Sequence, residues 1–466
     1  MTADESSKRT MGELRLWDTV SIIIGIVVGV SIFKAPPLIF SNVATPWHGF
    51  AAWLLGGVLV MLGAFCYAEL AARYPASGGD YAYLTRAFGS WAGFLFGWAQ
   101  LVAVFTGSIA IMAYVFGGYA VRLFNVSTGN AGSCAALVIV VLTVLNCAGL
   151  TFGKTTQNVL TVAKILGLAG LVLAGLALGT GGNPHATNIA SENPNFGIAM
   201  VLILYTFGGW NDAVFVTAEV RDPRRNVPRA LLIGITLIVT LYILVNLAYL
   251  NALGFDGIRQ SKAPAADALL QVGLGDWASR AMSLLVMVSA MGAINGMLLT
   301  GSRIFAALGR DHAIFSRLGR WSVRRGAPIN ALAVQAIIAI LMILLVDTLT
   351  GRTILDWCYQ RLAMVPPDWN DFDGGFDKLV AGTAPIFWLF FLLTGISVFV
   401  LREAATEHRY GMPLYPWPAI LFCIMCGYML WSSINYAGKI TLIWVVPLLL
   451  GVPLYFFTRR SARGDS

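Results

Sequence analysis

Charged residues are scarce in this sequence, since only 12% of its 466 residues are Asp, Glu, Lys or Arg. Typical soluble domains contain roughly 25%. Histidine is also rare, and its four copies are scattered over predicted loops, so neither a zinc site nor a nucleophile–base pair is indicated. The phosphate-binding pattern GxxxxGK[ST] does not occur. These absences predict a protein that is not an enzyme and needs no metal, cofactor or ATP.

Cysteines are few, and their spacing suggests no disulfide framework. Cys423 and Cys426 form a CxxC in an apolar run without a partner pair, which favours core packing over a metal site. The first fifteen residues contain no apolar core and no small-residue cleavage site, so we expect no removable signal peptide. The acids in apolar runs, Glu69, Asp212 and Glu219, are separate and lack histidine partners, which argues further against catalysis.

Hydrophobic residues make up 58% of the chain. They form runs of about 20 residues, long enough to cross a hydrocarbon layer of roughly 30 Å. The runs are too uniformly apolar for the alternating strands of a barrel, so the sequence predicts an all-α membrane protein with twelve transmembrane helices. The predicted spans are 18–40, 49–72, 91–123, 134–150, 156–180, 197–219, 229–252, 277–308, 330–349, 380–401, 413–434 and 438–457.

The basic residues indicate topology. The formal net charge is +8, and most Lys and Arg residues fall in loops on one side of the predicted spans. Because such loops face the cytoplasm, both termini are predicted to be cytoplasmic in a multi-pass protein of the cell (plasma or inner) membrane. These basic residues flank helix ends, where they meet anionic membrane lipid, so nucleic acid is not an expected partner.

Two spans contain small residues that weaken a helix. The first is interrupted from Gly25 to Ser31, and the sixth from Tyr205 to Asp212. Each opens a block of five spans, and because five is odd the second block enters from the opposite face. Corresponding breaks in two halves predict a 5+5 inverted-repeat transporter. The predicted parts are a tail (1–16), two repeats (17–180 and 197–402), an external insertion (357–378), helices 11 and 12 (413–458) and a tail (459–466).

A broken helix offers unpaired backbone groups to a ligand. N–H groups at the start of a half-helix attract an anion, and carbonyls at the end of the other half attract a cation. A carboxylate and an ammonium on one carbon fit both ends. The alternative is that Gly25 and Gly29 form only a small-residue packing face, as is common in membrane helices.

Four long motifs in this order resemble the amino acid, polyamine and organocation (APC) transporter superfamily, and within it the L-type amino acid transporter branch. The motifs are Gly29 to Phe33 (GVSIF), Cys66 to Gly89, Tyr205 to Leu231 and Gly292 to His312. The resemblance covers nearly the whole chain. It implies a sodium-independent secondary transporter of amino acids, either an exchanger or proton-coupled, that alternates access around unwound helices 1 and 6.

The resemblance implies a role for the backbone at both breaks. The substrate carboxylate is expected against N–H groups that follow Gly29, those of Val30, Ser31 and Ile32. The ammonium is expected near carbonyls of Val27, Val28, Tyr205 and Phe207.

Side-chain roles are implied as well. Tyr205 corresponds to an aromatic outer gate, and Gly208 keeps the side-chain pocket open. Asn211 and Asn295 correspond to polar residues that brace the unwound segments, and Trp388 to an aromatic residue of helix ten.

Lys164 resembles the helix-five lysine that stands in this family where sodium sits in sodium-driven relatives, which implies a coupling role. A lysine in mid-membrane costs at least about 2.5 kcal/mol and usually marks function. The alternative is that Lys164 snorkels to the cytoplasmic edge.

The sequence departs from the family pattern in four places. Val30 and Ser31 replace smaller residues, Lys34 and Asp212 stand where apolar residues are common, and 357–378 is inserted before helix ten. Lys34 and Asp212 are therefore possible specificity residues. The insertion is either a lid or a tolerated loop.

Two other functions remain open at this stage, a transporter-like amino acid sensor and a polyamine or organocation carrier. Animal members of the family pair with a glycoprotein through an external cysteine. Because only Cys134 lies near the corresponding loop, no accessory subunit is expected.

Overall fold

The computed structural model describes residues 12–75, 78–124, 131–179, 194–261, 263–275, 277–361, 366, 375–403, 410–437 and 441–463. Within these ranges the chain is helical throughout, apart from short connections and two isolated β-bridges. The predicted all-α class is confirmed.

Seventeen α-helices are described. They are α1 Leu16–Val27, α2 Ser31–Ser41, α3 Pro46–Arg73, α4 Asp80–Phe88, α5 Ser90–Ala99, α6 Phe105–Phe124, α7 Ala131–Ala148, α8 Leu150–Leu178, α9 Phe196–Thr206, α10 Pro223–Gln260, α11 Pro264–Gln271, α12 Trp277–Asp311, α13 Ile329–Asp347, α14 Leu349–Arg361, α15 Gly375–Glu403, α16 Trp417–Ala437 and α17 Thr441–Arg463. A π-helical turn, Gln100–Val104, joins α5 to α6, and a 3₁₀ segment, Trp210–Glu219, follows α9.

The described helices match the predicted spans in order. Nine are long and apolar enough to cross a membrane, and two bent pairs raise this number to as many as eleven. The bent pairs are α1 with α2, at 53°, and α13 with α14, at 90°. A shorter apolar stretch, Val445–Thr458, corresponds to the twelfth predicted span.

Both predicted breaks are present. Between α1 and α2 the chain leaves helical geometry at Val28, and α2 then starts at Ser31. The second break follows Thr206, and Gly209 adopts a left-handed conformation with φ of 93°. Ten residues of 3₁₀ helix are unusually long for this geometry, which in mid-helix often marks a functional hinge.

The structure differs from the sequence prediction at several boundaries. Leu14, placed by sequence in a polar tail, is fully buried and forms a β-bridge with Val220. Helix α14 extends over part of the region predicted as an external insertion (357–378), while 362–365 and 367–374 lie outside the described residues. Helix α14 was not predicted from the sequence, because its composition is polar and it lacks the apolar run by which spans are recognised.

Packing of the helices places the breaks at the centre of the bundle. Helix α1 contacts α8, α10 and α12, and also the 3₁₀ segment after the second break. A Cβ on Gly209 would lie 2.7 Å from Cγ2 of Ile26, so the two broken spans touch. Only glycine fits there, because both the positive φ and the close approach exclude a side chain.

Candidate functional site

A cavity of about 140 Å³ lies between the two breaks. Its walls come from α1, α2, α4, α5, the π turn, α6, α9, the 3₁₀ segment, α12 and α15. Aromatic rings form much of its surface, from Phe96, Phe105, Phe215, Phe387, Trp388, Phe390 and Phe391. A mostly apolar cavity with a few convergent polar groups is the usual form of a small-molecule site.

Many of the residues predicted from sequence line this cavity. They are Val27, Gly29, Ser31, Tyr205, Gly208, Asn211, Asp212 and Trp388. These residues come from five separate elements, α1, α2, α9, the 3₁₀ segment and α15, and from the two breaks, and the fold brings them to one cavity. Their assigned roles stay predictions.

Other predicted residues do not line the cavity. Val28, Val30 and Ile32 are buried in the apolar core, although their backbones belong to the first break. The Phe207 ring packs against Trp53 and Tyr242, with ring centroids 5.9 and 5.2 Å away.

Lys34 also lies outside the cavity lining. Its side chain is exposed on α2, so the structure does not bring it to Asp212, which lines the cavity. A role for Lys34 in substrate choice stays a prediction.

The first break presents N–H groups to the cavity region. Helix α2 starts at Ser31, and the first N–H groups of an α-helix have no partner within the helix. The helix dipole adds partial positive charge at this end. Since Gly29 and Ser31 line the cavity, a carboxylate placed there meets both effects.

Side chains hold the carbonyls at the end of α1. Lys164 Nζ donates to Gly25 O at 2.8 Å, and Tyr242 Oη donates to Val27 O at 2.9 Å. Ser289 Oγ donates to Val28 O at 2.9 Å. Val27 O also accepts from Gly29 N at 2.7 Å. An ammonium assigned to these carbonyls must therefore share them or bind at neighbouring acceptors.

Lys164 is fully buried. It connects α8 to the end of α1 and lies against Gly292 of α12, where an added Cβ would be 3.3 Å from Nζ. Burial and the hydrogen bond to Gly25 O contradict snorkelling to the membrane edge. Lys164 thus stands between the first and eighth predicted spans, and its coupling role stays a prediction.

Gly25 and Gly29 have different surroundings. A Cβ on Gly25 would overlap the Gln157 amide, so Gly25 allows α1 to pack closely on α8. A Cβ on Gly29 would meet its nearest atom, Ile26 O, at 3.6 Å, and Gly29 borders the cavity. The packing interpretation therefore holds for Gly25, and the cavity interpretation for Gly29.

Asn295 lies behind the first break. Its Oδ1 accepts from Asn146 Nδ2 at 2.8 Å, and its Nδ2 donates to Gln157 Oε1 at 2.9 Å and to Gly153 O at 3.1 Å. Because Gln157 packs on Gly25, this network supports the end of α1 through α8.

An acid from a predicted cytoplasmic loop reaches the cavity. Gly78 N donates to Phe215 O at 3.0 Å, and Gly79 has φ of 48°, with no room for a Cβ beside Val214. The glycine pair thereby packs on the 3₁₀ segment and carries Asp80 into the cavity wall.

Asp80 is held by neutral donors. Its Oδ1 accepts from Tyr67 Oη at 2.5 Å and from Thr394 Oγ1 at 2.7 Å. Burial raises the pKa of Asp80 to about 6, while hydrogen bonds from Thr394, Tyr67 and Asn211 oppose that rise. No lysine or arginine lines the cavity within the part of the chain that the structure describes.

The predicted cytoplasmic ends of the spans are tied by buried ion pairs. Arg303 makes a bidentate pair with Glu219, with N–O distances of 2.7 and 2.9 Å. Glu69 pairs with Arg73 at 2.7 Å and with Arg402 at 3.2 Å. The first pair joins α12 to the 3₁₀ segment, and the second set joins α3 to α15.

Sequence reasoning missed Asp80, Gln100, Tyr242 and Ser289. Tyr242 and Ser289 carried no local signal, because single hydroxyls are ordinary in membrane helices. Asp80 lies within the motif Cys66 to Gly89, in which the resemblance assigns no site residue. The tight fit of the glycine pair before Asp80 becomes visible only in the packed structure.

Comparison with known proteins gives consistent matches. A family model described as amino acid permease matches residues 14–453. Human b(0,+)-type amino acid transporter 1 is 31% identical over 408 residues, which cover 85% of this chain and 77% of the relative. The serine/threonine exchanger SteT of Bacillus subtilis (strain 168) is 25% identical, covering 98% of this chain and 99% of SteT.

Two further comparisons extend this result. Human large neutral amino acids transporter small subunit 2 is 29% identical, covering 95% of this chain and 80% of the relative. Among solved structures, Mhp1, a nucleobase-cation-symport-1 family transporter in a closed conformation with bromovinylhydantoin bound, aligns with a TM-score of 0.56. That match covers 92% of this chain and 93% of Mhp1 at 14% identity, so it shows a shared fold alone.

Proposed function

Since the chain belongs to the amino acid permease family, we propose that it is a sodium-independent secondary transporter of amino acids. It works by alternating access around the two broken spans, as an exchanger or with a proton. The matches confirm the resemblance to the APC superfamily and its L-type branch. A membrane transporter of this family is not an enzyme.

The observation that carries this proposal is the cavity between the breaks. Its wall combines the start of α2, which favours an anion, with the end of α9, where Tyr205 and Thr206 line the cavity. The last α9 carbonyls have left the regular helical pattern, since Tyr205 O accepts from Gly208 N at 3.0 Å and Thr206 O from Tyr242 Oη at 3.3 Å, and the negative end of the helix dipole there favours an ammonium. An amino acid has its carboxylate and ammonium on one carbon, so both ends of the site are used at once. The inverted repeats 17–180 and 197–402 provide the two halves that rock around it.

Sodium independence is proposed from Lys164. Its ammonium already supplies a positive charge and a donor to the carbonyl at the end of α1, in the region between α1 and α12. A second cation there would meet like charge in a buried setting, which is costly.

The sensor and polyamine-carrier alternatives receive less support. A polyamine has no carboxylate to use the anion-favouring start of α2. A sensor needs binding but no passage of substrate. The names of the relatives above are those of transporters and exchangers, which favours movement of substrate.

We also propose a stand-alone transporter in the cell membrane with both termini cytoplasmic. The human relative is named a small subunit, which makes assembly a necessary test. A second protein that co-purifies in equal amounts from the native membrane would overturn the stand-alone state.

The test of function uses purified protein in liposomes and a panel of labelled amino acids. Liposomes are either loaded with unlabelled amino acids, empty, or empty with an acidic exterior. We expect uptake that requires internal substrate for an exchanger, or an acidic exterior for a proton-coupled carrier. Uptake of polyamines but no amino acid, or thermal stabilisation by amino acids without uptake, would contradict the proposal.

A further inference from the structure

We propose that the cavity contains a subsite for a positively charged side chain, formed by Asp80, Gln100, Asn211 and Asp212. The proposal rests on the proposed function, because it names the substrate class of the same cavity. The substrate is an amino acid whose side chain carries an ammonium or guanidinium group. Its backbone is held at the helix breaks and its side-chain cation meets these four residues.

The first argument is that several buried acceptors lack donors. Asn211 Oδ1 and Gln100 Oε1 are buried without a hydrogen-bond partner among the described residues, and Asp80 Oδ2 has none there beyond the neighbouring Asn211 amide. Asp80, Asn211 and Gln100 are 1, 3 and 5% exposed, and all three border the cavity. A buried polar atom without a partner destabilises the folded protein. A ligand group rich in donors removes that cost.

Asp212 extends the same set of acceptors. Its carboxylate receives no hydrogen bond and no ion pair from the residues that the structure describes, and it is 6% exposed. Oδ2 lies beside Gly209, 3.7 Å from where a Cβ would stand. Asp80 and Asp212 line the same cavity, and two carboxylates in one site favour a cation there.

The charges of the cavity agree with this occupant. Two carboxylates line it, and none of the described lining residues is basic. Lys164, the nearby buried ammonium, donates to Gly25 O, and no ion pair joins it to either acid among the described residues. Buried carboxylates are normally paired or hydrogen-bonded, so the missing partner of this pair is a cation supplied by substrate.

The backbone supports Gln100 in a specific way. Gln100 begins a π-helical turn, Gln100–Val104, between α5 and α6. Single π turns are rare within α-helices and are frequently found at functional sites. Here the turn brings Gln100 and Val104 to the cavity, on a different element from either acid.

The test compares substrates that differ only at the side-chain terminus. Purified wild-type protein in liposomes takes up one labelled neutral amino acid from the panel, while lysine, norleucine, arginine or citrulline compete. Charged hydrogen bonds typically favour binding enough to change affinity about tenfold or more. We expect lysine to compete at a concentration about tenfold or more below norleucine, and arginine likewise below citrulline.

Variants locate the effect. Asp212→Asn and Asp80→Asn are each expected to reduce the lysine-to-norleucine preference about tenfold, measured as a ratio within each variant. Asp222→Asn removes a carboxylate from an exposed position outside the cavity, at the start of α10. It is expected to keep the wild-type ratio. Thermal stabilisation of the wild type by lysine against norleucine provides a second measurement that needs no variant.

The outcomes separate the two proposals. Neutral uptake with equal competition by lysine and norleucine overturns the cation subsite and leaves amino acid transport standing. The subsite is also overturned if Asp222→Asn reduces the lysine-to-norleucine preference as much as Asp212→Asn does, because the effect is then not specific to the cavity. No uptake and no stabilisation by any amino acid overturns the proposed function itself.

Discussion

Individual residues at the two breaks serve distinct physical purposes. Gly209 permits a left-handed turn against Ile26, and Gly25 permits close packing on Gln157. Lys164, Tyr242 and Ser289 each donate to one carbonyl at the end of α1. The break is therefore held open by side chains from α8, α10 and α12.

Tyr205 is predicted to be the outer gate, since it lines the cavity at the end of α9. Replacement of the ring by alanine removes apolar contact worth about 1.5–3 kcal/mol. Tyr205→Ala should therefore lower kcat/KM for uptake about tenfold or more, whereas Tyr205→Phe should largely preserve it. Uptake by the Tyr205→Ala variant at the wild-type rate would show that the gate assignment is wrong.

Lys164→Ala is expected to impair transport, because it removes the donor to Gly25 O and leaves that carbonyl buried. If the charge is structural, exchange falls at every pH. If a proton moves, exchange persists but uptake no longer responds to an imposed pH gradient. Uptake by the alanine variant with the wild-type rate and pH profile would refute both versions.

At the scale of elements, the site depends on helices that are broken and tightly packed, and glycine is found there despite its low helix propensity. Glycine costs roughly 1 kcal/mol relative to alanine in a helix interior. Sequence located both breaks from such glycines and from the motifs around them. It could not locate Asp80 or Tyr242, because their positions depend on how the loop 78–80 and α10 pack on other elements.

Gly25→Ala is expected to destabilise the protein, because its methyl group would overlap the Gln157 amide on α8. Overpacking of this kind typically costs about 1–3 kcal/mol. Gly170→Ala is the matched control, since nothing lies within 4 Å of a Cβ there. Tm in detergent should fall for Gly25→Ala and hold or rise for Gly170→Ala, and equal Tm values would contradict the packing model.

Glu219→Gln should markedly lower the Tm, because it breaks a pair with Arg303 in which the side chains are 5 and 2% exposed. Removing one partner of a buried pair typically costs about 3–5 kcal/mol. Lys154→Gln breaks a longer, partly exposed contact with Asp18, at 3.6 Å, and should cost about 1 kcal/mol or less. If Lys154→Gln lowered the Tm as much as Glu219→Gln does, the buried pair would not be more important for stability than the partly exposed pair.

For the whole molecule, hydrophobic runs were sufficient to predict the class and most span positions. Residues of α14 and the buried segment around Leu14 escaped prediction, because neither has the length or composition of a span. The buried position of Arg303 was likewise not predictable from composition. Its sequence position suggests a cytoplasmic anchor, yet the side chain is buried and paired with Glu219.

The central claim, sodium-independent amino acid transport through the broken-helix site, has a direct test at this scale. Initial uptake of the labelled amino acid panel into liposomes loaded with unlabelled amino acids, with an acidic exterior, is measured in sodium chloride and in choline chloride. The account predicts uptake of at least one amino acid at the same rate in both salts. Uptake of none of the panel, or uptake only with sodium, would contradict it.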